Sequence, residues 1–255
     1  MAKKKAAPDD LRLIEIMYRA ADHAERHLRA AQTLLDAGEW PDSFVLATLG
    51  FEELGKAHLC LGALMAPDGE RPKALREFEK NFTNHVKKLE LAHFFLIAAI
   101  SDAPPPAAAR LFSHVKSLAS GSNDTKFRGL YVDYLDDELL LPTVVGEEDA
   151  RWMVQNVRQL HQGMKRYVLK DPVVFAASVP LLRQRMEGLG SGTPDQLIAD
   201  GRAGLRRDRD GAPPPPEQLA WAKSIDEPAL RKSLAEFLLQ GVELDGDGTV
   251  AESTL

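Results

Sequence analysis

The stretch that most constrains the fold is Asp42–Met65, DSFVLATLGFEELGKAHLCLGALM, an apolar segment with three charged residues in its middle. Its large apolar side chains lie all around a helix of period 3.6, which predicts a helix with little surface facing water. The charges are Glu52, Glu53 and Lys56. Because a buried carboxylate without a partner costs free energy, these charges must be paired within the helix or by a neighbouring one.

The spacing of the three charges leaves one acid over. Glu52 and Lys56 are an i,i+4 pair and Glu53 and Lys56 an i,i+3 pair, so the lysine reaches either carboxylate. One lysine satisfies only one of them. We therefore look for function at the spare acid and at any basic group that another helix brings to it.

The composition predicts a helical protein. The chain has 255 residues, of which 44% are hydrophobic and only 7% aromatic, and Ala, Leu, Glu, Lys and Arg are abundant. Alternating β-branched runs are few, which favours an all-α fold with one main domain plus an extension. The net charge of −6 is unlike that of a general nucleic-acid coat protein, although a local basic site stays compatible with it.

The N-terminal sequence and the length of the uncharged segments predict a cytoplasmic protein that makes no contact with a membrane. The basic start MAKKK is followed by AAPDD, without the apolar core of a signal peptide. The longest uncharged run, Leu91–Ser101, is far shorter than the roughly 20 residues that span a bilayer.

Neither cysteine nor histidine patterns predict a metal or another cofactor. Cys60 stands among leucines and is expected to be a packing residue. His23 and His27 have the i,i+4 spacing of metal ligands, but no third ligand is near, so they are expected at the surface or at a dimer face. A carboxylate-bridged di-metal bundle needs two Glu-x-x-His motifs, and Glu90 with His93 is the only one in the chain.

Helix signals divide the first part of the chain into antiparallel segments. One helix is predicted from Asp9–Asp10 to Gly38, and a second is predicted to be capped by Asp42 or Ser43. The segment Ala74–Ile100 is expected as one long helix or as two pieces that meet near Asn81–Asn84.

The second part of the chain has weaker signals. A short helix is expected near Arg110–Leu118, followed by a flexible SGSND and by a loop in TKFRGLYVDY. Glu147 begins a further helix, because three acids occupy its first turn. Three regions are predicted: a bundle at 1–170, a linker with short helices at 171–216 that is interrupted at Pro180, and a C-terminal helix with a disordered tail at 217–255.

Two basic patterns carry candidate function. His85 and Lys88 begin a helical stripe that is apolar from Ala92 onward, so they either end a buried seam or lie at a solvated helix start. In the loop TKFRGLYVDY, basic and aromatic residues alternate. Such a loop can stack a base, and it is equally suited to packing across a bundle.

Three strings together resemble the AbiV family of bacterial abortive-infection proteins. They are AAQTLLDAGEWPDSFVLATLGFEELGKAHLCL, FTNHVKKLELA and KFRGLYVDY, within roughly residues 18–170. This family is grouped with the HEPN superfamily of small helical bundles in phage defence and toxin–antitoxin systems. The resemblance implies an up-and-down bundle that forms a homodimer, with a functional cleft between the subunits.

The resemblance also implies where chemistry would occur. HEPN ribonucleases typically carry an arginine followed, after four to six residues, by a histidine, and they use no metal. A base activates the ribose 2′-hydroxyl and a cation stabilises the phosphorane. Here the nearest match is Lys80 and His85 with four residues between them. Lysine is a point charge that does not grip a phosphate with two parallel donors, so the motif is altered.

A composite polar site follows from these strings. Glu53 is expected to orient Lys56 or His85, His85 to act as acid or base, and Lys88 with Lys56 to attract phosphate oxygens. Supporting positions are Glu52, Lys80, Arg128, Tyr131 and Asp133. The competing interpretation is a buried polar network that only sets the helix register.

Two functions are compatible with this site. The first is a metal-independent ribonuclease that cleaves tRNA or mRNA during phage infection. The second is a non-catalytic module that arrests growth or translation by binding a phage protein or the translation machinery.

Overall fold

The structure is a computed structural model that describes residues 8–100, 112–131, 133–135, 138–140, 142–169 and 172–189. These residues form seven α-helices, one β-hairpin and one short 3-10 helix. The helices are α1 Asp10–Asp36, α2 Trp40–Met65, α3 Arg71–Asn81, α4 His85–Ile100, α5 Val115–Leu130, α6 Glu147–Tyr167 and α7 Pro172–Leu189. The predicted all-α bundle is confirmed, with a two-stranded hairpin as a small addition.

The central element is α2, as its apolar sequence predicted. It contacts α1, α4, α5 and α6, so it is surrounded on most sides. The high mean hydropathy of α2 explains its central place. A helix that is apolar around its whole circumference is stable only when other helices cover it. Phe51 and Leu54, at its middle, are fully buried.

The first two helices form an antiparallel pair around a tight turn. The Asp9 side chain accepts a hydrogen bond from the Arg12 amide and caps the start of α1. The helix ends before Gly38, whose φ of 81° lies in the left-handed region that a glycine adopts without strain. Helix α2 begins two residues later and returns along α1, so the end of α2 lies near the start of α1.

The predicted cap of α2 is wrong. The helix begins at Trp40, with Glu39 as the residue before it, and Asp42 lies in the first turn. Pro41 explains the earlier start, because its fixed φ suits the first helical positions and it has no amide hydrogen to satisfy there.

The segment Ala74–Ile100 is two helices, which is the second of the two arrangements expected. Helix α3 ends at Asn81 and α4 begins at His85. Asn84 caps α4, because its side-chain oxygen accepts a hydrogen bond of 3.1 Å from the Lys87 amide. The break therefore places His85 at the first position of a helix.

Helix α5 runs through the segment Ser120–Asp124, where a flexible break was predicted. Tertiary packing outweighs the low helix propensity of these residues. Ala119, Ser122 and Lys126 are buried on one side of α5, and the Ser122 hydroxyl is hydrogen-bonded to His93 Nε2 at 3.1 Å. Lys126 and Arg128 consequently lie on a helix and not in a loop.

Helix α7 is also longer than predicted. It is continuous through Pro180, which is exposed, whereas an interruption was expected there. Phe175 and Val179 are buried, and Arg183 donates hydrogen bonds to the Asp10 carboxylate and to the Leu64 carbonyl oxygen. The helix is thus attached to the ends of α1 and α2, while the boundary at residue 170 stays a prediction.

The hairpin is small. Strand β1, Asp133–Leu135, pairs antiparallel with β2, Glu138–Leu140, with Asp133 opposite Leu140. The predicted C-terminal region 217–255 lies outside the described residues.

The core confirms the role expected of Cys60. The residue is fully buried, and burial raises the pKa of its thiol to about 12, so it is an unreactive packing group.

Among the helices that the structure describes, none combines the length and the hydropathy that a membrane span requires.

Candidate functional site

Glu52 is the centre of a buried polar cluster formed by three helices. Lys126 Nζ on α5 lies 2.6 Å from Glu52 Oε1. The other oxygen, Oε2, lies 2.5 Å from His85 Nδ1 and 3.3 Å from Lys88 Nζ, both on α4. We call Glu52, His85, Lys88 and Lys126 the Glu52 cluster.

The cluster is buried on one side and open on the other. Glu52, Lys88 and Lys126 are each at most 5% exposed, whereas the His85 side chain is 53% exposed. His85 is therefore the member of the cluster that a molecule in solution reaches first.

The charges of the cluster favour the ionised form of Glu52. Burial by itself raises the pKa of this carboxyl, but hydrogen bonds from Lys126 and His85 and the charges of Lys126 and Lys88 outweigh burial and lower the pKa below its ordinary value. The carboxylate is thus negative at neutral pH. Two buried ammonium groups face this single carboxylate, so the cluster carries a surplus of positive charge in a chain whose net charge is −6.

A glycine allows the close approach on which the cluster depends. A Cβ atom added at Gly55 would lie 2.0 Å from the Lys88 carbonyl oxygen, which means that the backbones of α2 and α4 touch at this point. Any larger residue would push α4 away from α2. Gly55, within the string EELGKA, is therefore what lets His85 and Lys88 reach Glu52.

The carboxylate determines which nitrogen of His85 carries a hydrogen. An ionised carboxylate only accepts hydrogen bonds, so Nδ1 must donate one to Glu52 Oε2. In the neutral ring, Nε2 then has the free lone pair. A histidine held by a carboxylate with Nε2 directed elsewhere has the arrangement of a general base.

Glu53 and Lys56 form a second, separate pair. Lys56 Nζ lies 2.6 Å from both carboxylate oxygens of Glu53 and 5.3 Å from the centre of the Phe82 ring. The pair lines an open groove of about 410 Å³ against α1, together with Arg19, His23 and Arg26 among others. Of the two expected partners of Glu53, the structure has Lys56 and not His85. Lys56 and Lys88, which were expected to attract phosphate oxygens together, pair with different carboxylates.

The structure thus answers which carboxylate is spare. Glu53 takes the lysine of its own helix, and Glu52, expected only as a supporting residue, receives the basic groups of α4 and α5. Of the two interpretations of His85 and Lys88, the buried seam applies to Lys88, while His85 lies where that seam meets the solvent.

Among the remaining predicted site residues, Lys80, Arg128 and Tyr131 lie apart from these contacts. Lys80 is exposed in the last turn of α3, and Arg128 and Tyr131 are exposed at the end of α5. The Tyr131 ring stacks on Phe127, with the ring centres 6.4 Å apart. Asp133 begins β1, and its side chain lies outside the described residues.

Lys126 is the cluster member that sequence reasoning did not select. It belongs to the string of basic and aromatic residues that the sequence predicts to be a loop. In a loop, the spacing of residues does not tell whether a lysine side chain faces the interior or the solvent. The signal was the spacing of Ala119, Ser122 and Lys126, which line one face once the helix is continued through Ser120–Asp124.

The other histidines were also considered as metal ligands, within the part of the chain that the structure describes. Among the residues that the structure describes, no three His, Cys, Asp or Glu side chains are arranged to hold a metal ion. The His23 ring is exposed and lies 4.4 Å from that of His27, centre to centre.

Comparison with known proteins identifies the family. Neither curated proteins nor solved structures give a significant match to this chain. The family model HEPN_AbiV, described as AbiV, matches residues 12–162, which is more than half of the chain and includes every residue of the Glu52 cluster. The chain therefore belongs to the AbiV family of HEPN proteins.

Proposed function

We propose that this AbiV-family protein is a metal-independent ribonuclease of phage defence, with the Glu52 cluster as its active site. The observation that carries the proposal is the half-exposed His85, which donates to a buried carboxylate while buried lysines surround that carboxylate. Membership of the family supports an abortive-infection function of HEPN type. The reaction itself and its RNA substrate are our inference.

In the proposed reaction His85 is the base. Nε2 removes the proton of a ribose 2′-hydroxyl, and the 2′-oxygen attacks the adjacent phosphorus. A bond from phosphorus to the 2′-oxygen forms while the bond to the 5′-oxygen breaks, and the imidazolium of His85 returns the proton to the leaving 5′-oxygen. The products are a 2′,3′-cyclic phosphate and a 5′-hydroxyl end.

Glu52 and Lys88 assist this reaction in different ways. Glu52 fixes the ring of His85 through Nδ1 and stabilises the imidazolium that forms. Lys88, three residues along α4 and 3.3 Å from the same oxygen, supplies the cation for the negative charge of the phosphorane. It replaces, in this proposal, the arginine that HEPN ribonucleases typically use, because Lys80 is exposed on another helix.

The test is RNA end mapping in cells that express the wild-type protein or His85→Ala. We expect new 2′,3′-cyclic phosphate and 5′-hydroxyl ends only with the wild-type protein. Cleavage by the purified protein should persist in EDTA, because a histidine and a lysine perform the steps. Glu52→Gln should lower the cleavage rate by about a hundredfold, as removal of one preorganised group at such a site does.

Glu53→Gln is the matched control. It changes the neighbouring acid of the same helix, whose partner Lys56 belongs to the separate pair, and should leave cleavage within about twofold of the wild-type rate. A purified protein that leaves RNA intact, together with a His85→Ala variant that still protects cells, would show the ribonuclease proposal to be wrong.

A second candidate is a non-catalytic protein that arrests growth through a protein partner. It is favoured by exposed apolar residues at the end of α5, namely Phe127, Leu130 and Tyr131, which are 44%, 44% and 58% exposed. In that case Tyr131→Ala should abolish protection while His85→Ala keeps it. Loss of protection on deletion from Ser191 onward would support the same candidate.

Dimerisation stays a prediction, which light scattering of the full chain would test.

A further inference from the structure

Lys126 joins the Glu52 cluster from a third helix. It is 2% exposed, its Nζ lies 2.6 Å from Glu52 Oε1, and its ammonium group is 4.8 Å from the centre of the Phe127 ring. Burial of a lysine to this extent costs free energy unless a carboxylate compensates for it. Glu52 is the carboxylate within reach.

The two oxygens of Glu52 serve different partners. Lys126 occupies Oε1, and His85 and Lys88 share Oε2. Charge-assisted hydrogen bonds from nitrogen are usually about 2.7–2.9 Å long. The distance of 3.3 Å from Lys88 Nζ is therefore the loosest of the three contacts.

This difference in length distinguishes the two lysines. Lys126 is the counter-ion of Glu52, whereas Lys88 is held loosely. Since an ammonium group has three donors, Lys88 keeps hydrogens for another acceptor.

We propose that Lys126 is a positioning residue for the reaction at His85. By neutralising Glu52 through Oε1, it keeps Lys88 available for a substrate phosphate and keeps Oε2 directed at His85. The inference rests on the proposed function of the Glu52 cluster. Lys126 itself does not contact the substrate.

Removal of Lys126 should therefore act through its neighbours. In Lys126→Met, Lys88 becomes the counter-ion of Glu52 and is drawn away from the phosphate. We expect kcat/KM to fall about ten- to a hundredfold, as when a residue that orients a reacting group is lost.

The pH dependence of the rate should change as well. The charged groups that interact with Glu52, among the described residues, are His85 and Lys88 from α4 and Lys126 from α5, whereas Glu53 and Lys56 on α2 itself pair with each other. Loss of the Lys126 charge leaves Glu52 less neutralised and favours the imidazolium. The acidic limb of the pH–rate profile should then move to higher pH.

The decisive experiment is a double-mutant cycle on the full chain, with Glu52→Gln, Lys126→Met and the two combined. If Lys126 acts through Glu52, Lys126→Met should lower kcat/KM in the wild-type background and have no further effect in the Glu52→Gln background. Lys126→Arg should recover most of the rate, because it keeps the charge. Lys165→Met, which removes the partner of Glu25 and none of the groups of the Glu52 cluster, is the control and should change nothing.

Multiplicative effects of the two substitutions would overturn the proposal, because they would mean that Lys126 contributes independently of Glu52. Should Lys126→Met alone not fold, the combined variant, which lacks the charges of both Glu52 and Lys126, is compared with Glu52→Gln. Equal kcat/KM values support the inference, and a lower value for the combined variant refutes it.

A measurement without RNA separates this inference from the proposed function. Inorganic phosphate is titrated into the protein, and binding is followed by NMR of the His85 ring and the lysine ammonium groups. We expect Lys126→Met to weaken binding about tenfold. Unchanged phosphate binding refutes the role of Lys126 even where RNA is cleaved, and intact RNA with weakened phosphate binding refutes only the ribonuclease. A wild-type protein that neither cleaves RNA nor binds phosphate refutes both.

Discussion

At the residue scale, the two adjacent acids of α2 differ in what surrounds them and not in their chemistry. Glu52 is 2% exposed and has partners on two other helices, whereas Glu53 has its partner on its own helix. Successive helical residues point about 100° apart, which is enough to send one carboxylate into the interior and the other into the groove along α1.

This difference predicts unequal effects on stability. Glu52→Ala leaves Lys88 and Lys126 buried without a carboxylate, and we expect it to lower the free energy of unfolding by about 3–5 kcal/mol. Glu53→Ala breaks a more accessible pair and should cost about 1 kcal/mol or less. Urea denaturation of both variants at neutral pH measures the two values, and equal losses would contradict the different environments.

Part of this arrangement could be predicted from the sequence. A single lysine within reach of two acids implies that one acid needs a partner from elsewhere, and the structure confirms such a partner. Which acid it is could not be predicted, since Lys56 lies within helical reach of both Glu52 and Glu53. The answer depends on where α4 and α5 pack, and that is a property of the tertiary structure.

At the element scale, the contact between α2 and α4 depends on Gly55. The same helix contains Gly62, and a Cβ atom added there would have nothing within 4 Å. The two glycines therefore form a natural comparison between a close helix contact and an open surface.

Opposite outcomes are expected for the two alanine substitutions. Gly55→Ala forces α4 away from α2 and should destabilise the protein by about 1–3 kcal/mol, as overpacking does, while separating His85 from Glu52. Gly62→Ala should stabilise it by about 0.5–1 kcal/mol, because alanine is the better helix former. Thermal unfolding of both variants tests this, and a neutral Gly55→Ala would show that the helices separate without cost.

Helix boundaries were predicted well where caps and breakers agree and poorly where packing decides. Asp9 and Gly38 mark the ends of α1 by local chemistry, because the Asp9 side chain caps the first turn and Gly38 adopts a positive φ. Ser120–Asp124 has weak local preference for a helix, and only the burial of Ser122 and Lys126 accounts for the continuous α5. Pro180 has no amide hydrogen to donate, so its local chemistry favours an interruption, yet α7 continues through it.

At the scale of the whole molecule, two buried neutral histidines make stability depend on pH. Burial lowers the pKa of His58 to about 4, although the hydrogen bond that its Nδ1 donates to the Leu54 carbonyl oxygen opposes this, and burial also lowers that of His93 to about 4. The unfolded chain binds protons to these residues near pH 6.5, so it holds more protons than the folded chain between the two values.

The sign of the effect follows. Stability is fully present above pH 6.5 and is lost as the pH falls towards 4, by on the order of 3 kcal/mol for each histidine. The lowered pKa values of Glu25 and Glu52 act in the same direction. Chemical denaturation from pH 7.5 to 4 measures the slope, which His93→Gln should reduce. A stability that stays constant over this range would contradict the burial of both rings as neutral groups.

The distances along the chain between the members of the Glu52 cluster have a consequence for synthesis. His85 follows Glu52 by 33 residues, and Lys126 follows it by 74. A nascent polypeptide that still ends before residue 126 lacks the last cation, and an unfolded one holds none of these groups together. The Glu52 cluster, and with it the proposed active site, is therefore complete only after most of the bundle has been synthesised and folded.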